Sequence, residues 1–514
     1  MLLVSANEMA AFGVELSFNV RNALFYSGVD GISAVVHSLT TNDEVLEKVY
    51  ESEVVYHQHN IDFAAKCDVN FRFEKVQRFR ITLYVLNSIT QKIMGKLGEC
   101  LFDLSVIFAR GGSMIVDVPD TPSKIDIRTS VKEYYGQYLK LRLTGHHISS
   151  PLGLPLGLYF IMNIPIGHRT IMLYKSEIIK EDKKPYWMEF SIPLFVLNFY
   201  NESPIRIDVY NHFVNHPDEM VGYCTTSLTL LQRGPGTMNT YMLMKHDGGR
   251  IGEKTWVALE KCELDVGPTF FEMLKNTNMQ LTEAIDLTAS NGNPVSDTSL
   301  HFIHPHRPSA YLKTILQITP PFLAYLSHPE NPAIGALGFG ANVQNGNALQ
   351  LSHCFYLNGT ADEHRVQGLF GLIDSYQKAR MRVQPFAPTD FSEVIYYVSK
   401  FAKAESRRHF GLYFVLLILS DGGPASALAM KKTIDAIVDA SAHPMSIVAV
   451  GVGEDRNFSP MMSLESMTLK HSDGRMLVRQ NYTFVRASDL EDSDALPMVP
   501  LQMIQWKKQF SNQP

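Results

Sequence analysis

Residues 413–423 read YFVLLILSDGG, an unbroken apolar run that closes on a serine, an aspartate and two glycines. A strand with one face in water alternates apolar and polar residues, whereas a strand buried on both faces does not. This run is therefore expected to be a central strand of a mostly parallel sheet with helices on both sides. Residues 281–290 (LTEAIDLTAS) and 446–453 (SIVAVGVG) have the same character. Amphipathic stretches lie between them. In residues 389–405, Val394, Val398 and Phe401 share one helical face, and Thr389 or Asp390 stands where a cap is needed. In residues 427–443, Ile434, Ile437 and Val438 do likewise. Apolar strands alternating with such helices predict a doubly wound α/β domain.

Toward the N-terminus the period changes. In residues 78–86 (RFRITLYVL), Phe79, Ile81, Leu83 and Val85 recur every second position, and Ile205, Ile207 and Val209 do so in residues 204–211 (PIRIDVYN). Period-two alternation in short segments separated by turns predicts antiparallel sandwiches. The two segments occupy similar places in two successive β regions, which reads as a tandem duplication, although two unrelated β domains would give the same pattern about as readily. The expected organisation is a β-sandwich over 1–132, a second over 133–264 and the α/β domain over 265–514. An exposed link is expected over 262–280.

A length of 514 residues suits several domains. With 45% hydrophobic and 19% charged residues, the composition is globular. A net charge of -6 gives no electrostatic reason to expect a nucleic-acid partner. Cys67, Cys100, Cys224, Cys262 and Cys354 are scattered without CxxC spacing, which suits a reducing compartment. The first residues carry no basic region before their apolar stretch, so no signal peptide is expected.

The chemistry concentrates at strand ends. Asp286, Thr288 and Ser290 form a D-x-T-x-S run, Thr389 lies in a later loop, and Asp421 closes the 413–423 run. All are oxygen donors at places where a parallel strand's carboxyl end meets a loop, the edge at which doubly wound sheets bind ligands. Hard oxygen donors without His or Cys favour Mg²⁺ or Mn²⁺ over zinc. Hydroxyls after an aspartate also simply cap turns; the ordered set of five within an α/β pattern is what points to a metal.

Residues 284–294 (AIDLTASNGNP) resemble the opening of the von Willebrand A-type domain of copines. The resemblance continues through residues 332–342 (PAIGALGFGAN), 385–395 (PFAPTDFSEVI), 413–423 and 443–453. It implies a metal-ion-dependent adhesion site on Asp286, Thr288, Ser290, Thr389 and Asp421, and no catalytic residue. After Asp421 the chain reads GGPASALAM where copines continue with acidic residues, so the charge of the rim differs.

The same resemblance makes the two sandwiches C2-type modules, with Trp187 as a core anchor of the second. Such modules hold Ca²⁺ through about five aspartates on two loops. Here the first keeps Asp30, with Asn87 where a later aspartate is expected. The second keeps Asp218, with Asn211 and Phe213 at aspartate positions. Asparagine offers an oxygen without charge, so tight Ca²⁺ binding is not expected. Leu152, Leu154 and Leu156 on the loop SSPLGLPLG could insert into lipid or fold back onto the sandwich. Lys175, Lys180, Lys183 and Lys184, interleaved with acids, read as a solvated mixed-charge face. The resemblance implies an adaptor, cytoplasmic and peripheral at the plasma membrane, that meets anionic phospholipid through its C2-type modules and proteins through the A-type site. The alternatives are a cytosolic scaffold without lipid binding and a metal-dependent hydrolase or phosphotransferase. Against the last stand the missing GxxxxGK[ST] loop and the missing second aspartate in DLTAS.

Overall fold

The computed structural model describes residues 12–510 apart from 24–29, 41, 57, 74, 132–135, 151–152, 154–155, 167–168, 200–202, 214–216, 253, 303, 305, 330, 346–347, 409–410, 455 and 491–497. The chain forms two antiparallel β-sandwiches followed by an α/β domain.

Both sandwiches use one strand order. In the first, strand Phe12–Arg21 pairs with the last strand, Lys124–Val131, while Asp30–Leu39 pairs with Arg78–Asn87 and that strand with Ile93–Asp103. In the second, Gln137–His146 pairs with the last strand, Trp256–Val266, while Gly157–Ile166 pairs with Ile205–Asn211 and that strand with Glu219–Thr226. The alternating residues Phe79, Ile81, Leu83, Val85, Ile205, Ile207 and Val209 are all buried. Trp187 is fully buried and meets Phe160 edge-on at 4.9 Å. Its indole N–H donates to the Leu158 carbonyl over 3.3 Å, which satisfies its polar atom inside the core.

In the third domain the parallel strands lie in the order Ala333–Phe339, Asn278–Asp286, Leu412–Ser420, Met445–Gly451, Tyr482–Arg486. One face buries Ala284, Leu416 and Ile418 against Val394, Ile395, Val398 and Ala402 of helix Ser392–Arg408 and Ile437 of helix Ala427–Ala440. The other buries Ile285, Leu417 and Leu419 with Tyr311, Tyr376 and Ile504. The unbroken apolar pattern of the strands is thus explained by helices on both sides. One detail differs from the sequence reading, and one capping candidate is settled. Phe401 is 40% exposed and stacks on His364 at 6.0 Å, because the buried stripe of its helix turns toward Ile395 and Ala402. Asp390 accepts from the Ser392 amide over 2.8 Å at the helix start.

The link between β and α/β regions is not exposed as expected. Helix Phe270–Lys275 is closed by a reciprocal Thr269–Glu272 capping box and buries Phe270, Phe271, Met273 and Leu274. Phe271 packs on Phe108 at 4.4 Å and on Phe71 at 5.6 Å, so four aromatic and aliphatic side chains draw the link into the first sandwich.

Candidate metal centre and loop ends

The chain leaves strand Asn278–Asp286 toward one neighbour, Ala333–Phe339, and later returns to the other, Leu412–Ser420. The order of the sheet therefore reverses at Asp286, which opens a crevice at the carboxyl ends. Asp286 is fully buried there; its Oδ1 accepts from the Thr288 amide over 2.8 Å and from the Thr288 hydroxyl over 2.6 Å. Its Oδ2 accepts from the Ser420 hydroxyl. The Thr288 and Ser290 hydroxyls lie 2.9 Å apart, and Ser290 donates to Asp421 Oδ1 over 2.9 Å. Four of the five residues singled out in the sequence thus form one hydrogen-bonded chain. Thr389 is buried and tied to the same crevice through its carbonyl, which accepts from the Ala425 amide over 3.1 Å.

The electrostatics of this cluster are unbalanced. Burial, reinforced by the nearby Asp421 charge, pushes the Asp286 carboxyl up to about 7. Burial also raises the Asp421 carboxyl, against the pull of the Ser290 hydroxyl and the Arg456 guanidinium. Asp421 Oδ2 is buried without a hydrogen-bond partner. Two buried carboxylates, one with an orphaned oxygen, and a set of hydroxyls are what a hard divalent cation would satisfy. The donor set therefore fits Mg²⁺ or Mn²⁺. Among the described residues no three His, Cys, Asp or Glu side chains converge on a possible metal position.

Four contributors escaped the sequence reading. Ser420 could have been suspected from its place beside Asp421 at a strand end. Arg456, in the loop after strand Met445–Gly451, lies 3.5 Å from Asp421 Oδ2 and donates to the Ser290 carbonyl over 3.3 Å. Asn291 donates to the Thr288 hydroxyl over 3.3 Å. Buried His301 bridges the Asp286 carbonyl and the Tyr376 hydroxyl, each at 2.9 Å. No sequence spacing announces the last two.

At the sandwich ends, Asp30 and Asn87 are register partners, so the first module's two candidate residues meet at one sheet end. Asn87 Oδ1 is already taken by the Ile89 amide, the Thr90 amide and the Thr90 hydroxyl, at 3.0, 2.9 and 3.2 Å. In the second module Asn211 is fully buried and its Oδ1 accepts from the Gly157 amide over 2.7 Å. Asp218 is buried among the Tyr159 hydroxyl at 2.8 Å, His212 at 3.2 Å and Lys470 at 2.5 Å. Burial alone would raise its carboxyl, but Lys470 and Tyr159 bring it below the usual range. Leu156 is half-buried and packs against the core; Leu152 and Leu154 lie outside the described residues. Lys175 departs from the solvated face foreseen for it: its ammonium donates to the Met467 carbonyl over 3.2 Å and lies 5.1 Å from the Tyr159 ring centre. Burial brings it down to about 7.

Residues 299–514 match the family described as Copine. Over that span the chain resembles copines. It is 27% identical to Protein BONZAI 2 of Arabidopsis thaliana, over 93% of this chain and 86% of that protein. Among solved structures, BON1-C2B aligns at 18% identity with a TM-score of 0.23, covering 27% of this chain and 99% of that one. The calcium-bound pair of C2 domains of Extended-Synaptotagmin 2 aligns at 11% identity with a TM-score of 0.21, covering 50% of this chain and 98% of that one. The chain consists of two antiparallel β-sandwiches followed by an α/β domain, which the Copine match covers from residue 299 onward. No described helix is long and apolar enough to cross a membrane.

Proposed function

We propose that this protein is a copine-like, non-enzymatic adaptor, cytoplasmic and peripheral at the plasma membrane, whose α/β crevice takes Mg²⁺ or Mn²⁺ and uses it to grip a carboxylate of a partner protein. The observation that carries this reading is the chain of oxygens from Asp286 through Thr288 and Ser290 to Asp421, ending in the orphaned Asp421 Oδ2. Asp286, Ser290 and Asp421 would hold the ion with Thr288 and Thr389, and the ion would supply positive charge for an outside acid. A hydrolytic role is disfavoured by His301: both ring nitrogens are engaged and burial lowers its pKa to about 3, so it offers no base to a substrate.

The C2-type modules are the lipid-facing part, with little calcium dependence, because Asn87 and Asn211 stand without charge and spend their carbonyl oxygens on backbone amides. The tip of the first module's hairpin exposes Ile89, Ile93 and Met94, at 81%, 62% and 57%, and the loop holding Leu152, Leu154 and Leu156 is a second candidate contact. Calorimetric titration with Mg²⁺ and Mn²⁺ tests the crevice, and sedimentation with anionic vesicles in EGTA tests the modules. Absence of vesicle binding in any condition would favour the cytosolic scaffold reading instead.

A further inference from the structure

The end of the second sandwich that carries Asp218 does not stand free. It is covered by a segment of the α/β domain more than two hundred residues downstream. Lys470 reaches across, pairing with Asp218 Oδ1 and donating to the Phe213 carbonyl, each at 2.5 Å. Around this contact Tyr159, Ile161 and Met172 of the sandwich are buried, and the half-buried Met467 and Met476 pack against them. Gln480 accepts from the Met172 amide over 3.4 Å, and Gln505 donates to the Met172 carbonyl over 2.9 Å.

Lys470 is held in place from behind. It bridges Met476 across a tight turn, in which the His471 amide donates to the Arg475 carbonyl over 2.8 Å. The turn is fastened to helix Ala427–Ala440 by Ser472 on Asp435 at 2.7 Å and Arg475 on Asp439 at 2.6 Å. The lysine thus belongs to a braced hairpin, so little side-chain and loop entropy is lost when it docks.

The oxygens it takes belong to the loop that, in a C2-type module, coordinates a cation. Ca²⁺ requires six to eight oxygen ligands and several charges. Here one buried acid remains, Asn211 Oδ1 is spent on Gly157, and Glu219 accepts from Ser150 over 2.8 Å. The Lys175 side chain closes the same end of the sandwich, its nitrogen donating to the Met467 carbonyl over 3.2 Å. An ammonium needs only a few acceptors, and this loop still supplies them.

We propose that the Lys470 ammonium is a built-in substitute for the calcium ion of the second sandwich, and that the former ion-binding loop has become a docking surface for this chain's own α/β domain. The inference is independent of the metal crevice at Asp286. It makes the second sandwich and the α/β domain one unit whose junction neither requires Ca²⁺ nor responds to it. Removing either charge leaves the other buried without its ion-pair partner, which costs more than the pair itself contributes.

Hydrogen-exchange mass spectrometry on the full chain tests this, comparing the wild type with Lys470→Met and Asp218→Asn, each with and without millimolar Ca²⁺. Exchange should quicken by roughly ten-fold on both sides of the junction, in peptides from 205–223 and from 466–480, in either variant. The doubly substituted chain should open no further than the single variants, and the wild type should be indifferent to Ca²⁺. Lys470→Met keeps the apolar stem against Met467 and Met476, so a general unfolding of the α/β domain is not expected from it. Quickening confined to the substituted side would overturn the proposal, as would additive effects or a Ca²⁺-induced opening of 466–480 in the wild type.

Discussion

The hydroxyl of Ser290 donates to Asp421 Oδ1 across 2.9 Å and 131 residues of sequence, joining the carboxyl ends of two adjacent parallel strands. Both acids of the crevice belong to this one network, so the loss of either should remove the binding of a divalent cation. Asp286→Ala and Asp421→Ala are expected to abolish Mg²⁺ and Mn²⁺ heats in calorimetry while the far-ultraviolet circular dichroism stays native. Retention of wild-type affinity in both variants would refute the assignment.

Arg456 sets the charge of the rim. Its guanidinium, 35% exposed, lies 3.5 Å from Asp421 Oδ2 and competes electrostatically with an incoming cation. Arg456→Ala should therefore tighten Mg²⁺ binding, by roughly three- to ten-fold for a half-screened charge. Titration at low and high salt checks the cause, because the gain should shrink as salt screens the arginine.

The legible part of this fold was the part with a strong period. The unbroken run at 413–419 and the compact, mostly apolar run at 281–286 announced strands buried on both faces, and the alternation at Phe79–Val85 and Ile205–Val209 announced sandwich strands. The crevice was visible because its donors sit at the ends of those runs. His301 and Asn291 were not, since they act from an irregular segment where no period marks a side chain's direction. Lys175 and Lys470 were hidden for another reason: a lysine among acids reads as solvated unless the partner domain's surface is known.

Phe271 fixes the first sandwich to the rest of the chain. It is 4% exposed and lies between Phe108 and Phe71. Phe271→Ala should cost on the order of 3 kcal/mol in packing and cavity terms. In the wild type, residues 267–277 should resist limited proteolysis; in the variant that region should become the first site of cleavage. Equal digestion of the two proteins would show the helix to be peripheral.

Glu283 gives the α/β domain a pH signature. It is fully buried on the central strand, its Oε1 accepting from Thr319 and its Oε2 without a partner. Burial pushes its carboxyl from 4.5 up to about 8. A folded pKa above the unfolded one gives stability that is complete below about 4.5 and declines as pH rises through about 8. Glu283→Gln keeps the shape and cannot ionise. Its urea midpoint should exceed that of the wild type at pH 9 by a margin worth a few kcal/mol, and the gap should close toward pH 5. A parallel pH dependence in the two proteins would exclude Glu283 as the source.

Membrane attachment should distinguish the two sandwiches. The first exposes Ile89, Ile93 and Met94 at a hairpin tip, and Asn87 braces that tip through three hydrogen bonds. Burying such side chains yields about 25 cal/mol per Å², so each supplies at most a couple of kcal/mol and attachment stays reversible. Because neither Asn87 nor Asn211 carries charge, anionic vesicles should bind equally in EGTA and in micromolar Ca²⁺. Ile89→Ser combined with Ile93→Ser should lower sedimentation with vesicles about ten-fold and leave the melting temperature unchanged, since both side chains already face water. The pair Leu152→Ser and Leu154→Ser tests the second sandwich in the same assay. A loss of binding at constant stability would assign that loop a share of the contact. Wild-type binding would place the contact on the first sandwich, as expected if Lys470 holds the loop end of the second against the α/β domain. Binding that appears only with Ca²⁺ would refute the calcium-independent reading for both.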